Sequence, residues 1–223
     1  AEKYRFWHDF AQNNLFGIEI NDSIARVAKM NMIIHDDGHT NVIGFDALED
    51  VGKMTEKNRG FEKNHFDVIV TNPPFGANVK RSEHSYLEKF ALGQNGKKVR
   101  DNQKTEILFI ERCIDFLKPG TGQMAIVLPD GVLTNSSLQY VRDFIMEKAQ
   151  ILAVVSLPQF AFAHFGAGVK SSIMFVRRKG EREKLGKYKI FMAIADHVGY
   201  EATGKRDPQN DLLKIHEEYE KIK

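Results

Sequence analysis

The chain has 223 residues, 42% hydrophobic and 28% charged, which suits one α/β domain with a real core and excludes a disordered or collagen-like chain. The formal net charge is only +2, and the single cysteine, Cys113, excludes an intrachain disulfide and points to a reducing, cytoplasmic compartment. No apolar run approaches the roughly 20 residues that cross a bilayer, and the mixed, charged opening Ala1-Glu2-Lys3-Tyr4-Arg5 does not read as a secretory signal.

The chain opens inside helical sequence, with Tyr4, Trp7, Phe10 and Ala11 at helical spacing, which suggests that residue 1 is not a natural N-terminus. Leu15-Phe16-Gly17-Ile18-Glu19-Ile20 predicts a short strand, and Asn21, Asp22 or Ser23 can cap the helix after it. That helix carries Ile24, Val27, Ala28, Asn31 and Ile34 and stops by Gly38. Asn41-Val42-Ile43 is a second strand, followed by Asp46 and a polar stretch. A third, Phe66-Asp67-Val68-Ile69-Val70-Thr71, runs directly into Asn72-Pro73-Pro74-Phe75. Residues 78–104 read as a long loop with a short helix near Tyr86–Phe90, of a length that is usually functional or mobile. Ile107, Ile110, Ile114 and Leu117 predict an amphipathic helix ended by Pro119-Gly120. The strand Met124–Leu128, a helix through Leu138, Val141 and Ile145, and the strand Ile151–Leu157 come next. A Phe- and Gly-rich loop leads to the strand Ser171–Val176, then the strand Ile190–Ala195 and a terminal helix through Leu212, Ile215, Tyr219 and Ile222.

Apolar strands alternating with helices predict an α/β fold with a mostly parallel sheet and helices on both faces. In such open sheets ligands bind beyond the carboxyl ends of the strands. That rule selects Glu19, Asp46 and Asn72, each at or just beyond a predicted strand end.

Asn72-Pro73-Pro74-Phe75 carries the sharpest chemistry. An amine conjugated to a ring or carbonyl is flat and weakly nucleophilic. Acceptors around its N–H groups draw it toward a tetrahedral shape and stabilise developing positive charge. The Asn72 amide oxygen and the Pro73 carbonyl can be those acceptors. Pro73 and Pro74 stiffen the backbone that presents them, and Phe75 offers a face for a planar group. What remains for an in-line methyl transfer is positioning, with no metal. The same tetrapeptide can also close a strand as a plain turn; its place after a buried-type strand favours the site.

The blocks Gly17-Ile18-Glu19-Ile20-Asn21, Asn41-Val42-Ile43-Gly44-Phe45-Asp46-Ala47-Leu48 and Phe66 to Phe75 resemble adenine-N6 DNA methyltransferases, most closely the modification subunit of type I restriction–modification systems. The resemblance continues through Phe109–Gly120, Met124–Leu133 and Gly168–Phe175 and covers about residues 15 to 178. It implies a Rossmann-like fold that uses S-adenosylmethionine, a methyltransferase domain over residues 1–178, and an extension over 179–223. It also implies roles. Glu19 would hold the cofactor ribose, Ile20 would flank its adenine, Asp46 would accept from the adenine amino group, and Ala47 would lie nearby. Asn72, at the junction of cofactor and substrate, and Pro73 would hold the target amine. Phe75 would stack on an adenine flipped out of duplex DNA. The implied partners are DNA, a separate specificity subunit and a restriction subunit, with no membrane.

Without the resemblance, Glu19 is a helix-start carboxylate and Asp46 a turn residue. Two departures stand out. Phe45 occupies a position where the family usually has glycine. The family's glycine-rich cofactor loop should precede the first strand, yet residues 1–14 contain no glycine. The chain is therefore expected to be a fragment without the first central strand, binding cofactor weakly by itself. The same acceptor geometry would serve a protein glutamine amide or an RNA amine, and a non-catalytic assembly module is the further alternative.

The remaining signals are weaker. Residues 78–104 hold seven basic residues against three acidic ones, and Lys80, Arg81, Lys97, Lys98 and Arg100 are candidates for DNA phosphates as well as for a solvated loop. His35 and His39 flank Asp36 and Asp37, but Gly38 breaks the helix between them and no metal site is expected. Cys113 sits among apolar neighbours as a buried thiol. Phe160, Phe162 and Phe165 suit a base pocket or the core.

Overall fold

A computed structural model describes residues 2–82 and 85–222; Glu83 of the basic segment and the Tyr4 side chain lie outside the described residues. The chain divides into two compact units, Ala1–His65 and Phe66–Lys223.

The first unit runs α1 (Glu2–Asn14), β1 (Gly17–Glu19), α2 (Asp22–Ile34), β2 (Val42–Gly44) and α3 (Val51–Lys57). β1 and β2 pair in parallel, with Glu19 opposite Gly44. The crossover α2 starts as its sequence predicts: the Asn21 side chain accepts from the N–H groups of Ser23 and Ile24. Its apolar residues behave otherwise, since Ala25 is buried while Ile24, Val27 and Ile34 are exposed. α3 lies in the stretch that reads as merely polar. Asp50 caps it by accepting from Gly52 N–H at 2.8 Å, and Met54 anchors it, fully buried. Phe16 and Phe61 meet edge to face at 5.4 Å, and a side-chain carbon at Gly60 would stand 2.1 Å from the Phe16 ring, so this turn needs glycine for space.

The second unit begins with β3 (Val68–Thr71) and β4 (Asn78–Lys80), then a 3₁₀ turn over Ser85–Lys89. β5 (Gln94–Asn95), β6 (Lys98–Val99), β7 (Asn102–Lys104), α4 (Thr105–Phe116) and β8 (Gln123–Pro129) come after it. The chain continues through α5 (Asp130–Thr134), α6 (Gln139–Lys148), β9 (Ala149–Ser156), β10 (Ser171–Arg178), β11 (Phe191–Ile194), β12 (Val198–Tyr200), β13 (Arg206–Asn210) and α7 (Asp211–Glu220). Five strands form one sheet in the order β11-β9-β10-β8-β3. Four of the five run the same way and β10 is reversed, so the sheet is mixed but mostly parallel, as expected. β3 is the edge of this sheet, and β1 has β2 as its ladder partner in the first unit's own two-stranded sheet. Val68 and Val70 on β3 are 66% and 80% exposed, an open apolar strand face.

Side-chain alternation along the strands builds two apolar layers. Met124, Ile126, Leu128, Met174 and Val176 join Ile107, Ile110 and Ile114 of α4 and Val141 and Ile145 of α6. On the opposite face, Val155, Ile173 and Phe175 pack with Val198, Leu212 and Ile215. Helices therefore cover both faces: α4 and α6 on one, α7 on the other. The β12–β13 hairpin is not evident in its polar sequence. Tyr200 ties it down by donating its hydroxyl to Ala161 O at 2.8 Å, and the Asp211 carboxylate accepts from Asp196 and His197 N–H.

Residues 78–104 correct the expectation of a loop. β4 pairs with β7 and β5 with β6, while Tyr86, Leu87, Phe90 and Leu92 are buried. Glu111 holds the segment by accepting from Ala91 and Leu92 N–H, both at 2.7 Å, and the Arg112 guanidinium lies 4.9 Å over the Phe90 ring. This cover also explains why α4 is buried on nearly every side rather than amphipathic: Glu106, Glu111 and Arg112 are within it.

Burial pushes the Glu111 carboxyl above its ordinary range, against the pull of the Leu92 and Ala91 N–H groups. The native state then binds more protons than the unfolded one. The contribution is complete below the unfolded pKa and is lost as pH rises through the higher folded value. Glu111→Gln should therefore gain stability relative to the parent between about pH 4 and pH 7. Denaturant midpoints of both proteins at the two pH values check this; a difference that moves the other way contradicts it.

Candidate active site

In the first unit, β1 and β2 bring the predicted cofactor residues to one end of their ladder. Glu19 closes β1; its carbonyl accepts from Phe45 N–H at 3.0 Å and its Oε1 from Asn21 N–H at 2.8 Å. The carboxylate is thus steered by the residue that caps α2. Ile20 comes next, 71% exposed, as an apolar surface. Phe45, Asp46 and Ala47 are half-buried in the turn after β2. Asp46 Oδ1 accepts from Leu48 N–H at 2.9 Å and its carbonyl from Glu49 N–H at 3.1 Å, so Asp46 shapes the turn. A carboxylate and an exposed apolar side chain at a strand end fit a ribose diol and a flat base.

In the second unit, β3 ends at Thr71, opposite Ile126 of β8, and the motif starts at the next residue. Asn72 is exposed, Pro73 buried, Pro74 exposed and Phe75 half-buried. Among the described residues nothing hydrogen-bonds the Asn72 side chain, which leaves its amide available to a ligand. β8 runs past this point, with Val127, Leu128 and Pro129 paired to Ile173, Ser172 and Ser171 of β10. At that edge Ser172 donates to Asp130 Oδ1 at 2.7 Å, and the Lys170 ammonium donates to Ser156 Oγ at 2.9 Å and to Leu157 O. A polar rim that sequence reasoning missed therefore runs on from the motif along the sheet.

The motif continues into Gly76, whose φ of 77° lies in the left-handed region that favours glycine, and then into β4. Lys80, Arg81, Lys97 and Lys98 are exposed on the β4–β7 excursion. Arg100 is half-buried; its guanidinium lies 4.3 Å over the Tyr140 ring and its Nε donates to Gln94 O at 3.1 Å. Phe160 and Phe162 pack against the second apolar layer, whereas Phe165 is 74% exposed. Cys113 is buried and its thiol is pushed up to about 12, which keeps it protonated and unreactive at neutral pH.

Glu106 and Thr105 are further residues that pattern alone did not select. A threonine and an acid in the first turn of a helix look ordinary; here both engage the backbone just after Phe75.

Comparison with known proteins bears on the family of the chain. The family described as N-6 DNA Methylase matches residues 3–223. The type I restriction enzyme EcoEI methylase subunit of Escherichia coli is 27% identical over 180 residues, covering 79% of this chain and 33% of that protein. The MpnII methylase subunit of Mycoplasma pneumoniae is 25% identical over 173 residues, covering 75% of this chain and 31% of that protein. The chain thus spans about a third of the length of these curated relatives. Among solved structures, the type I restriction-modification methyltransferase subunit of Streptococcus thermophilus superposes with a TM-score of 0.69 at 24% identity, over 93% of this chain and 42% of that one. With its motif at the carboxyl end of a mostly parallel sheet, this chain belongs to the N-6 DNA methylase family.

Proposed function

We propose that the chain is the methyl-accepting part of an enzyme that moves a methyl group from S-adenosylmethionine to the N6 amine of adenine in duplex DNA, within a restriction–modification assembly. The observation that carries this reading is Asn72: an exposed amide at the end of β3, free of hydrogen bonds among the described residues, followed by the buried Pro73. When bound, S-adenosylmethionine supplies an electrophilic methyl group on its sulfonium. Glu19 would hold its ribose, Ile20 would flank its adenine, Asp46 would accept from the adenine amine, and Ala47 would lie nearby.

The Asn72 amide oxygen and Pro73 carbonyl accept the two N–H groups of the target amine and stabilise the positive charge that builds on nitrogen. Phe75 stacks on the base, which has left the duplex to reach it. Lys80, Arg81, Lys97 and Lys98 meet phosphates, with Arg100 held beside them by Tyr140. Sequence reading falls to a specificity subunit, and a restriction subunit completes the assembly; that the relatives are named as methylase subunits of type I restriction enzymes supports a multi-subunit assembly.

The test is methyl transfer from labelled S-adenosylmethionine by protein expressed from the full reading frame, offered unmethylated duplex DNA, RNA and protein in parallel. Label in DNA alone is expected. Label in protein or RNA would assign another planar amine, and cofactor binding without transfer to any of them would mark an assembly module.

A further inference from the structure

Two prolines stiffen residues 73 and 74, but the backbone beyond Phe75 needs an anchor of its own. The start of α4 supplies it. Glu106 Oε2 accepts from the N–H of Gly76 at 3.3 Å. Thr105 reaches the next carbonyl twice, donating its N–H and its hydroxyl to Ala77 O, both at 3.0 Å. Glu106 is 2% exposed, and Gly76 N–H is its hydrogen-bond partner among the described residues.

A buried carboxylate is costly unless something favours its charge. Glu106 stands in the first turn of α4, whose cap residue Lys104 gives no side-chain hydrogen bond, and an acid at a helix start is favourably placed in the helix dipole. Stability alone does not explain why the carboxylate turns toward the motif. Glu111, on the same helix, shows the other use: two bonds of 2.7 Å to the backbone of the basic segment. The Glu106 bond instead lands on the residue directly after Phe75, where the backbone is in the left-handed region.

We infer that Glu106 is a positioning residue for methyl transfer: with Thr105 it clamps Gly76 and Ala77 and so fixes where the Phe75 ring and the Asn72 and Pro73 acceptors stand. This rests on the reading of residues 72–75 as the methyl-accepting site. Misplacing reacting groups by about 1 Å can cost on the order of 100-fold in rate, so a lost clamp should appear in kcat.

The experiment compares wild type, Glu106→Ala and Glu106→Gln, again from the full reading frame. It measures kcat, KM for S-adenosylmethionine and, without DNA, amide hydrogen exchange over residues 72–80. Glu106→Ala should lose about 10- to 100-fold in kcat with KM for the cofactor within about twofold, and its exchange over 72–80 should accelerate. Glu106→Gln keeps an acceptor oxygen at the same reach and should recover most of both. Should Glu106→Ala not fold, Thr105→Val, which removes the hydroxyl bond to Ala77, makes the same comparison. Unchanged exchange overturns the clamp whatever the activity, and so does a glutamine variant as damaged as the alanine one. Accelerated exchange in a protein whose wild type methylates no DNA supports the clamp and overturns the substrate reading instead.

Discussion

Replacing Asn72 by alanine should lower methyl transfer by about 10²–10³-fold, the usual cost of removing one group that stabilises transition-state charge. The effect belongs in kcat, because the acceptor matters most as the nitrogen becomes tetrahedral and positive. The fold should not notice. Asn72 is exposed, lies beyond the last paired residue of β3, and its side chain makes no hydrogen bond among the described residues. The denaturation midpoint should therefore stay within the range of a surface substitution, about 0.5 kcal/mol. Asn72→Asp keeps an acceptor of the same shape and should retain more activity than Asn72→Ala. Steady-state kinetics with labelled cofactor, next to a urea titration, separates the outcomes. A rate within about threefold of wild type would remove Asn72 from the chemistry.

Ile126→Ala should have the largest effect on stability, about 2–5 kcal/mol for unfolding of the second unit. Ile126 is fully buried, faces the layer built with α4 and α6, and lies between Thr71 of β3 and Met174 of β10. A cavity there undercuts the strand that presents Asn72, so activity should fall with the folded fraction. Ile126→Val removes one methylene and should cost about 0.5–1.5 kcal/mol. Urea midpoints of the three proteins check the series. An alanine variant within about 1 kcal/mol of wild type would mean that the layer is loosely packed at this point.

The sequence was most legible where short apolar runs stop on a polar residue. β1 ending at Glu19, β2 shortly before Asp46 and β3 before Asn72 are local patterns, and within each unit a parallel ladder, β1 with β2 and β3 with β8, places polar residues at or just beyond the carboxyl ends of its strands. Legibility failed where structure depends on a distant partner. Residues 78–104 lack periodicity, yet Tyr86, Leu87, Phe90 and Leu92 are buried, and the segment is held by Glu111, about twenty positions along the chain, through the Ala91 and Leu92 N–H groups. The helix through Ile107 and Leu117 read as amphipathic because the segment covering its second side could not be foreseen. The stripe on α2 misled in the opposite direction, since helical spacing identifies an apolar face but not its cover. At the site, Asn72 announced itself through its prolines. Glu106 did not, because its importance lies in a bond to Gly76, thirty residues earlier.

The most direct test of the central claim is to identify the methylated atom. Unmethylated duplex DNA is incubated with S-adenosylmethionine and the protein from the full reading frame, then digested to nucleosides for mass spectrometry. The account predicts N6-methyldeoxyadenosine with wild type and its loss with Asn72→Ala. A methyl group on a cytosine carbon, or an equal yield from the Asn72→Ala protein, would contradict it.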